Sequence, residues 1–293
     1  MNCPLCESRD LVLFHDKVWS EAGSHVYHCK SCDIVFIWPM MSEARMKIFY
    51  KTYNDHVQSR GVTVSGTPLE LHEKSKNEAR ARFKRISCFF KSTDMVLEIG
   101  SSTGAFLELL RSQRCFCVEA ADDNRRFSER FVRKAYKDIL EVPVRGKFDI
   151  ICMFHVFEHI LKPFEYLKVA RKLLKRNGLM IVEVPCIRDP LIDLYDCRVF
   201  KDFYFQPMHP YIYSSGSLRY IFDKAGLVKE QEIYYQRYGL DNHLSWLAGK
   251  SDQARTDRLA KIFGGCREYK AVLEKEKITD TIFYITRNAY MSI

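Results

Sequence analysis

Hydrophobic and polar positions change rhythm twice along the chain. Residues 11–15 (LVLFH) and 25–29 (HVYHC) alternate over short stretches, which predicts the strands of a small hairpin. From 41 to 90 the pattern is helical and charged (SEARMKIFYKTYNDH, then LELHEKSKNEARARFKRISCFF), broken by the Gly-containing loop GVTVSGTP. Past residue 92 strands and helices alternate. The strands are 95–100 (MVLEIG), 115–120 (CFCVEA), 148–154 (FDIICMF) and 179–185 (LMIVEVP), and AFLELLRSQ, NRRFSERFVRK and PFEYLKVARKLLKR are the helices between them. Pro163 opens the last helix and Gly178 stands just past its expected end. Alternation with apolar strands predicts an α/β fold around a doubly wound parallel sheet. Further on come a helix (SLRYIFDKAGL), a strand (VKEQEIYYQR), the segment YGLDNHLSWLAGK, a basic helix and a last strand (TIFYIT).

A chain of 293 residues, 47% hydrophobic, has room for one good core and a small satellite module. No apolar run reaches the roughly 18 residues of a membrane span. The start MNCPLCESRD does not resemble a signal peptide, so the expected location is cytoplasmic. Eleven cysteines there read as metal ligands, redox groups or small buried hydrophobes. The formal net charge of +9 favours anionic partners.

Two CxxC pairs, Cys3/Cys6 and Cys29/Cys32, flank the predicted hairpin. Zinc takes four soft ligands in a tetrahedron, and each CxxC presents two thiolates on one tight turn. So small a segment lacks a core of its own, and a metal would supply its stability. Four thiolates close the coordination shell and leave no open position, so the expected Zn2+ is structural. The alternatives are two pairs of buried cysteines or a redox CxxC, and no thioredoxin-like pattern surrounds either pair.

Ligands of a doubly wound sheet bind beyond the carboxyl ends of its strands. There the chain reads VLEIGSSTGAFLEL (96–109). Gly100, Ser102 and Gly104 are small enough for backbone to approach a ligand, and the following helix presents free N–H groups. The dinucleotide fingerprint GxGxxG is not met. Glu119 ends the next strand, where a carboxylate can accept both hydroxyls of a ribose. Glu98 beside the loop suits a cationic ligand better than a pyrophosphate, which it would repel.

These residues carry a resemblance. Glu98-Ile-Gly100-Ser-Ser102-Thr-Gly104 resembles motif I (E/D-x-G-x-G-x-G) of class I S-adenosylmethionine methyltransferases, with Ser102 in place of the middle glycine. Lys137-Asp138-Ile139 resembles the segment whose acid meets the adenine amine, FDIICMFHVFEHILKP (148–163) the strand-four motif, and RNGLMIVEVP (176–185) the turn into strand five. The resemblance implies a Rossmann-like seven-stranded sheet with S-adenosyl-L-methionine held by Glu98, Gly100, Ser102, Gly104, Glu119, Asp138 and His155. An N-terminal zinc ribbon joined to such a core resembles bacterial methyltransferases of sugar and surface-polysaccharide pathways. The implied layout is a ribbon over 1–40, a helical connector or lid over 41–91, and a methyltransferase domain over 92–293 with a substrate-specificity insert at about 190–278. In relatives that methylate carbon on a keto sugar, a Y-x-E-H-x-x-Y-like segment supplies the base. Here His209 matches its histidine, while Met208 stands where the glutamate would be.

Methyl transfer needs alignment and, for some acceptors, a base. His209 and His159 are the candidates, and Tyr211, Arg237, Tyr238, Asn242 and His243 are candidate substrate contacts. Each has a plainer reading: Glu158 and His159 as a helix start, His209 as the organiser of its loop, and Asp241 as a cap. Cys186 of Pro185-Cys186 follows strand five, not strand four as in cytosine-C5 enzymes, and reads as a packed thiol. The expected acceptor is an anionic small molecule, a nucleotide-linked or polysaccharide-precursor sugar. The rival readings are an RNA methyltransferase and a binding module that has lost its chemistry. Against RNA stand the absent D/N-P-P-Y motif and the dispersed positive charge.

Overall fold

The structure, a computed structural model, describes residues 1–51, 66–110, 114–143, 146–249, 252–263 and 266–289. Most of the GVTVSGTP loop, residues 61–65, lies outside the described residues. Among the described residues no helix is long and apolar enough to cross a membrane.

The chain opens with three antiparallel strands, β1 (Leu11–His15), β2 (His25–Cys29) and β3 (Ile34–Trp38). The central sheet then takes β4 (Val96–Ile99), β5 (Cys115–Val118), β6 (Lys134–Tyr136), β7 (Phe148–Phe154) and β8 (Leu174–Pro185). A two-residue strand, β9 (Tyr211–Ile212), precedes β10 (Val228–Tyr235) and β11 (Thr281–Arg287). The seven-stranded sheet runs β10-β11-β8-β7-β4-β5-β6, with β11 antiparallel to both of its neighbours. Every residue of β4 and β5 is buried, as expected for strands covered on both faces. The chain winds outward from β4 to β6 and then returns to β7 on the other side of β4. That reversal opens a crevice at the carboxyl ends of β4 and β7.

Two expectations about elements change. The helix at Pro163 ends at Leu173, and β8 begins at Leu174, so Gly178 lies within a strand. A Cβ there would sit 3.1 Å from the carbonyl oxygens of Phe148, Asp149 and Lys175, so the glycine allows close backbone approach where the β7–β8 register shifts. The helix expected over NRRFSERFVRK runs only Asp122–Ser128, and its tail feeds β6.

The 41–91 segment contributes the helix Pro68–Ile86, started by a Thr67–Glu70 capping box with Pro68 in its first turn. It buries His72, Ala79 and Ile86, seven residues apart and so on one face, against the helix Ala105–Leu110 that leaves the glycine loop. His72 donates from Nδ1 to the Thr103 carbonyl inside that loop (3.2 Å).

The N-terminal ribbon is built into the core. Its β3 pairs with β9, matching Val35 to Ile212 and Phe36 to Tyr211. Ser214, which caps the helix Ser215–Lys224, donates from Oγ to Asp33 Oδ2 (2.5 Å), next to Cys32.

Candidate active site

The glycine loop forms one wall of the crevice. Gly100 has φ +70°, and a Cβ there would lie 2.3 Å from Val156 Cγ2, so any side chain would collide with the start of the β7 loop. Gly104 has φ +78°, and its Cβ would press on Ser128 at 3.2 Å. Ser102 itself sits in the left-handed region at φ +48° and donates its N–H to Glu119 Oε2 (2.8 Å). Glu119 Oε1 takes the N–H of Ala121 at 2.8 Å. Each carboxylate oxygen accepts about two hydrogen bonds, so Glu119 retains capacity for a ligand while the loop fixes its orientation.

Glu98 is 4% exposed, and its Oε2 is buried without a hydrogen-bond partner. Burial pushes its carboxyl up to about 8, with Glu119 and Glu183 adding to the rise and Arg82 opposing it. The Oγ of Ser101 is likewise buried and unpartnered. Two orphaned polar atoms beside a cradle that a Cβ would fill are what a bound polar or cationic group would satisfy.

Across the crevice a charged network lines the ends of β7 and β8. Glu183, within β8, pairs with Arg82 Nε from the helix Pro68–Ile86 and lies 3.5 Å from His155 Nε2. Burial works against its ionisation, yet the charges of His155 and Arg82 hold it at about 2. His155 has φ +53°, and its Nδ1 donates to Glu158 Oε1 (3.2 Å). Burial opposes its protonation too, but Glu183 and the hydrogen bonds to Glu158 and Glu183 raise it to about 9. Arg237 Nη1 lies 3.2 Å from His155 Nε2, and Asp280 steadies Arg237 by accepting its backbone N–H (2.9 Å) and its Nε (3.4 Å).

Beside this network Glu158, His159 and His209 come together, their ligand atoms all within 4.8 Å of one another. The two imidazoles meet edge-on with centroids 4.7 Å apart. His159 donates from Nδ1 to the Met208 carbonyl (3.1 Å). Glu158 is 2% exposed and its Oε2 has no partner, while His155, His159 and His209 together hold its carboxyl below the usual range against the effect of burial.

A family model described as a methyltransferase domain matches residues 71–232. The chain belongs to that methyltransferase family. Its activity is methyl transfer from S-adenosylmethionine, and the Glu98 cradle fits that cofactor's cationic, adenosine-bearing form. Among solved structures, an S-adenosylmethionine-dependent methyltransferase from Archaeoglobus fulgidus is 20% identical, with a TM-score of 0.51 over 82% of this chain and 99% of that one. The complex of the Haloferax volcanii Trm112 methyltransferase activator with a methyltransferase gives 14% identity and a TM-score of 0.52, over 86% of this chain and 100% of that one. Both likenesses are of fold. No curated protein matches the chain in sequence.

The methyltransferase brings most of the residues expected at its site to one crevice: Glu98, the glycine loop, Glu119, His155, His159, His209 and Arg237. Asp138 is exposed and caps the turn after β6 by accepting the Leu140 N–H (2.8 Å). Tyr238 is 49% exposed, next to Arg237. Asn242 lies half-buried in the first turn of the helix Leu240–Leu247. Two expected substrate contacts are used elsewhere. Tyr211 is a buried residue of β9 whose hydroxyl donates to the Leu161 carbonyl (3.3 Å). His243 is buried behind Gln236 and bonded to the Tyr269 hydroxyl (2.6 Å), and burial lowers it to about 4. Cys186 is fully buried, and burial raises its thiol to about 12, as a packed thiol requires.

Glu183, Arg82 and Asp280 were not anticipated. Glu183 carried a signal, a lone carboxylate in the apolar run LMIVEVP, and Arg82 stands one turn from Ala79 on the buried face of its helix.

The four N-terminal cysteines converge, with Cys3 and Cys32 sulfurs 3.7 Å apart and those of Cys6 and Cys29 3.5 Å apart. Tetrahedral zinc with bonds of about 2.3 Å has ligand edges near 3.8 Å, and a disulfide would bring two sulfurs to about 2.05 Å. The cluster is thus compatible with a zinc ion.

Proposed function

We propose that this methyltransferase acts on an anionic small molecule, a sugar carried on a nucleotide or on a surface-polysaccharide precursor, and that a structural zinc ion holds its ribbon. The observation that carries the acceptor side is the meeting of His209 with His159 and Glu158 beside His155 and Arg237. S-adenosylmethionine supplies an electrophilic methyl group on a sulfonium leaving group. Glu98 would face that positive charge and Glu119 would accept from the ribose hydroxyls, while the left-handed glycines keep the wall clear. His209 would take the proton from the acceptor, and Glu158 beside it would stabilise the resulting imidazolium. His159 fixes the loop by its bond to the Met208 carbonyl. Arg237, held by Asp280, faces the acceptor's negative charge.

Met208 occupies the place of the glutamate in keto-sugar carbon methylation and packs with Met41 and Met46. Glu158, arriving from the β7 side, is the carboxylate beside His209. A screen of nucleotide sugars with S-adenosylmethionine, reading product mass and methylated position, tests this proposal. Methylation of an RNA pool, with affinity falling steeply as salt rises, would replace the sugar reading.

A further inference from the structure

At the opposite end of the sheet, where β7 and β8 begin, lies an open cleft of about 590 Å3 lined by Lys168, Arg171, Lys172 and Arg176, with Ala225 and Asn288 among the other walls. Among the described residues no acidic one lines it. Lys168, Arg171 and Lys172 share one face of the helix Pro163–Leu173, a spacing at which like charges repel.

Basic residues near a helix C-terminus ordinarily complement its dipole and cap its last carbonyls. Here those carbonyls are already taken: Arg171 O by Leu174 N–H, Lys172 O by Gly146 N–H (2.8 Å) and Leu173 O by Lys147 N–H (2.9 Å). Lys168 and Lys172 form no ion pair among the described residues, whereas neighbouring Lys175 is paired with Asp149 at 2.8 Å. Arg171 is held in place, donating from Nε to Asn288 Oδ1 (2.9 Å) and from Nη1 to the Ala225 carbonyl (3.1 Å), while its Nη2 bonds to none of the described residues. Gly226, at φ +75°, makes room for it, since a Cβ there would lie 2.4 Å from Nη1. A fixed guanidinium edge, two unpaired ammonium groups and Arg176 around one concavity form an oriented anion receptor.

The size of the cleft selects among anions. Its volume is that of a small-molecule site, usually about 300–1,000 Å3. A nucleic-acid strand needs a longer basic track, and Arg287, which could extend this one, is paired with Glu230 (2.7 Å). Along β7, whose Phe148 pairs with Leu174 beside the cleft and whose Phe154 pairs with Glu183 beside the glycine loop, the two sites lie six residues apart at about 3.3 Å each. Its occupant is therefore not the methyl acceptor.

We propose that this cleft binds a compact phosphate-rich anion, a di- or triphosphate either free or ending a nucleoside. The test is calorimetric titration of the full chain with pyrophosphate, tripolyphosphate and a nucleoside diphosphate, with S-adenosylhomocysteine saturating the crevice. The comparison is the double variant Lys168→Gln/Lys172→Gln, whose altered side chains make no bonds that the fold needs. One anion per wild-type chain is expected, with affinity for the variant at least about tenfold weaker through loss of two charge-assisted contacts, and with unchanged melting temperature and S-adenosylhomocysteine affinity. Pyrophosphate alone binding as tightly as the nucleotide identifies a free anion, and tighter nucleotide binding identifies a nucleoside-borne one. The proposal is overturned if wild type and variant bind these anions equally, if neither binds at millimolar concentration, or if single-stranded RNA binds more tightly than all three through the same lysines.

Discussion

Ile37 of the ribbon donates its backbone N–H to the carbonyl of Pro210, 3.0 Å away, immediately after His209. At the other end of the same loop Trp19 donates its N–H to the Phe205 carbonyl at 2.7 Å. The loop that carries His209 is thus hung between two ribbon residues, and β9 continues directly from it. A ribbon that looks like a separate module in the sequence acts in the fold as the frame of a candidate catalytic loop.

Loss of the proposed zinc ion should therefore reach the chemistry. Cys29→Ser, or chelation of the wild-type protein, is expected to lower kcat at least about tenfold while affinity for S-adenosylhomocysteine stays within about twofold, because the cofactor cradle belongs to other elements. Metal content, turnover and cofactor affinity measured on the same samples check this. Unchanged kcat in metal-free, folded protein would separate the ribbon from the site.

His209→Asn should keep cofactor affinity and lower kcat by about 10²–10⁴ if its ring takes the acceptor proton. The log kcat–pH profile separates this role from a structural one, since removal of the base abolishes the acid limb whereas a misplaced loop keeps it. An unaltered rate would assign proton removal elsewhere.

Glu98 and His155 make the cofactor-free protein sensitive to alkaline pH. The Glu98 carboxyl is raised from 4.5 to about 8, so its cost to stability grows as pH rises from its unfolded value towards 8. His155 is raised from 6.5 to about 9, so the stability it contributes is complete below 6.5 and is lost as pH rises through 9. Melting temperature should fall between pH 7 and 9.5. Glu98→Gln should melt higher than wild type at pH 8, by at least roughly the 2–4 °C that 1 kcal/mol gives in a large domain, yet bind the cofactor more weakly. A flat wild-type profile would contradict both assignments.

Gly100→Ala should cost roughly 1–3 kcal/mol for a left-handed backbone alone, with the Val156 collision added, and should reduce cofactor affinity. Thermal melts with and without S-adenosylhomocysteine measure both.

The candidate cofactor wall is legible in the sequence because it is local: Glu98, Gly100, Ser102 and Gly104 lie within one loop, and Glu119 follows the next strand. What could not be read is non-local. Arg82 meets Glu183 across 101 residues, and Ile37 reaches Pro210 from the other end of the chain. Tyr211 reads as a candidate substrate contact because two residues make a poor strand pattern, and β3 gives it its partner. Gly178 matched a helix stop in composition while serving a shift of strand register, a role fixed by β7.

The whole account depends on the crevice between β4 and β7 accepting the methyl donor with Glu98 against its charge. Calorimetric titration of the folded protein with S-adenosylmethionine measures this most directly, repeated with Glu98→Gln. The account predicts one molecule per chain and weaker binding to the variant. A folded wild-type protein that takes up no S-adenosylmethionine, or a variant that binds it equally well, would contradict it.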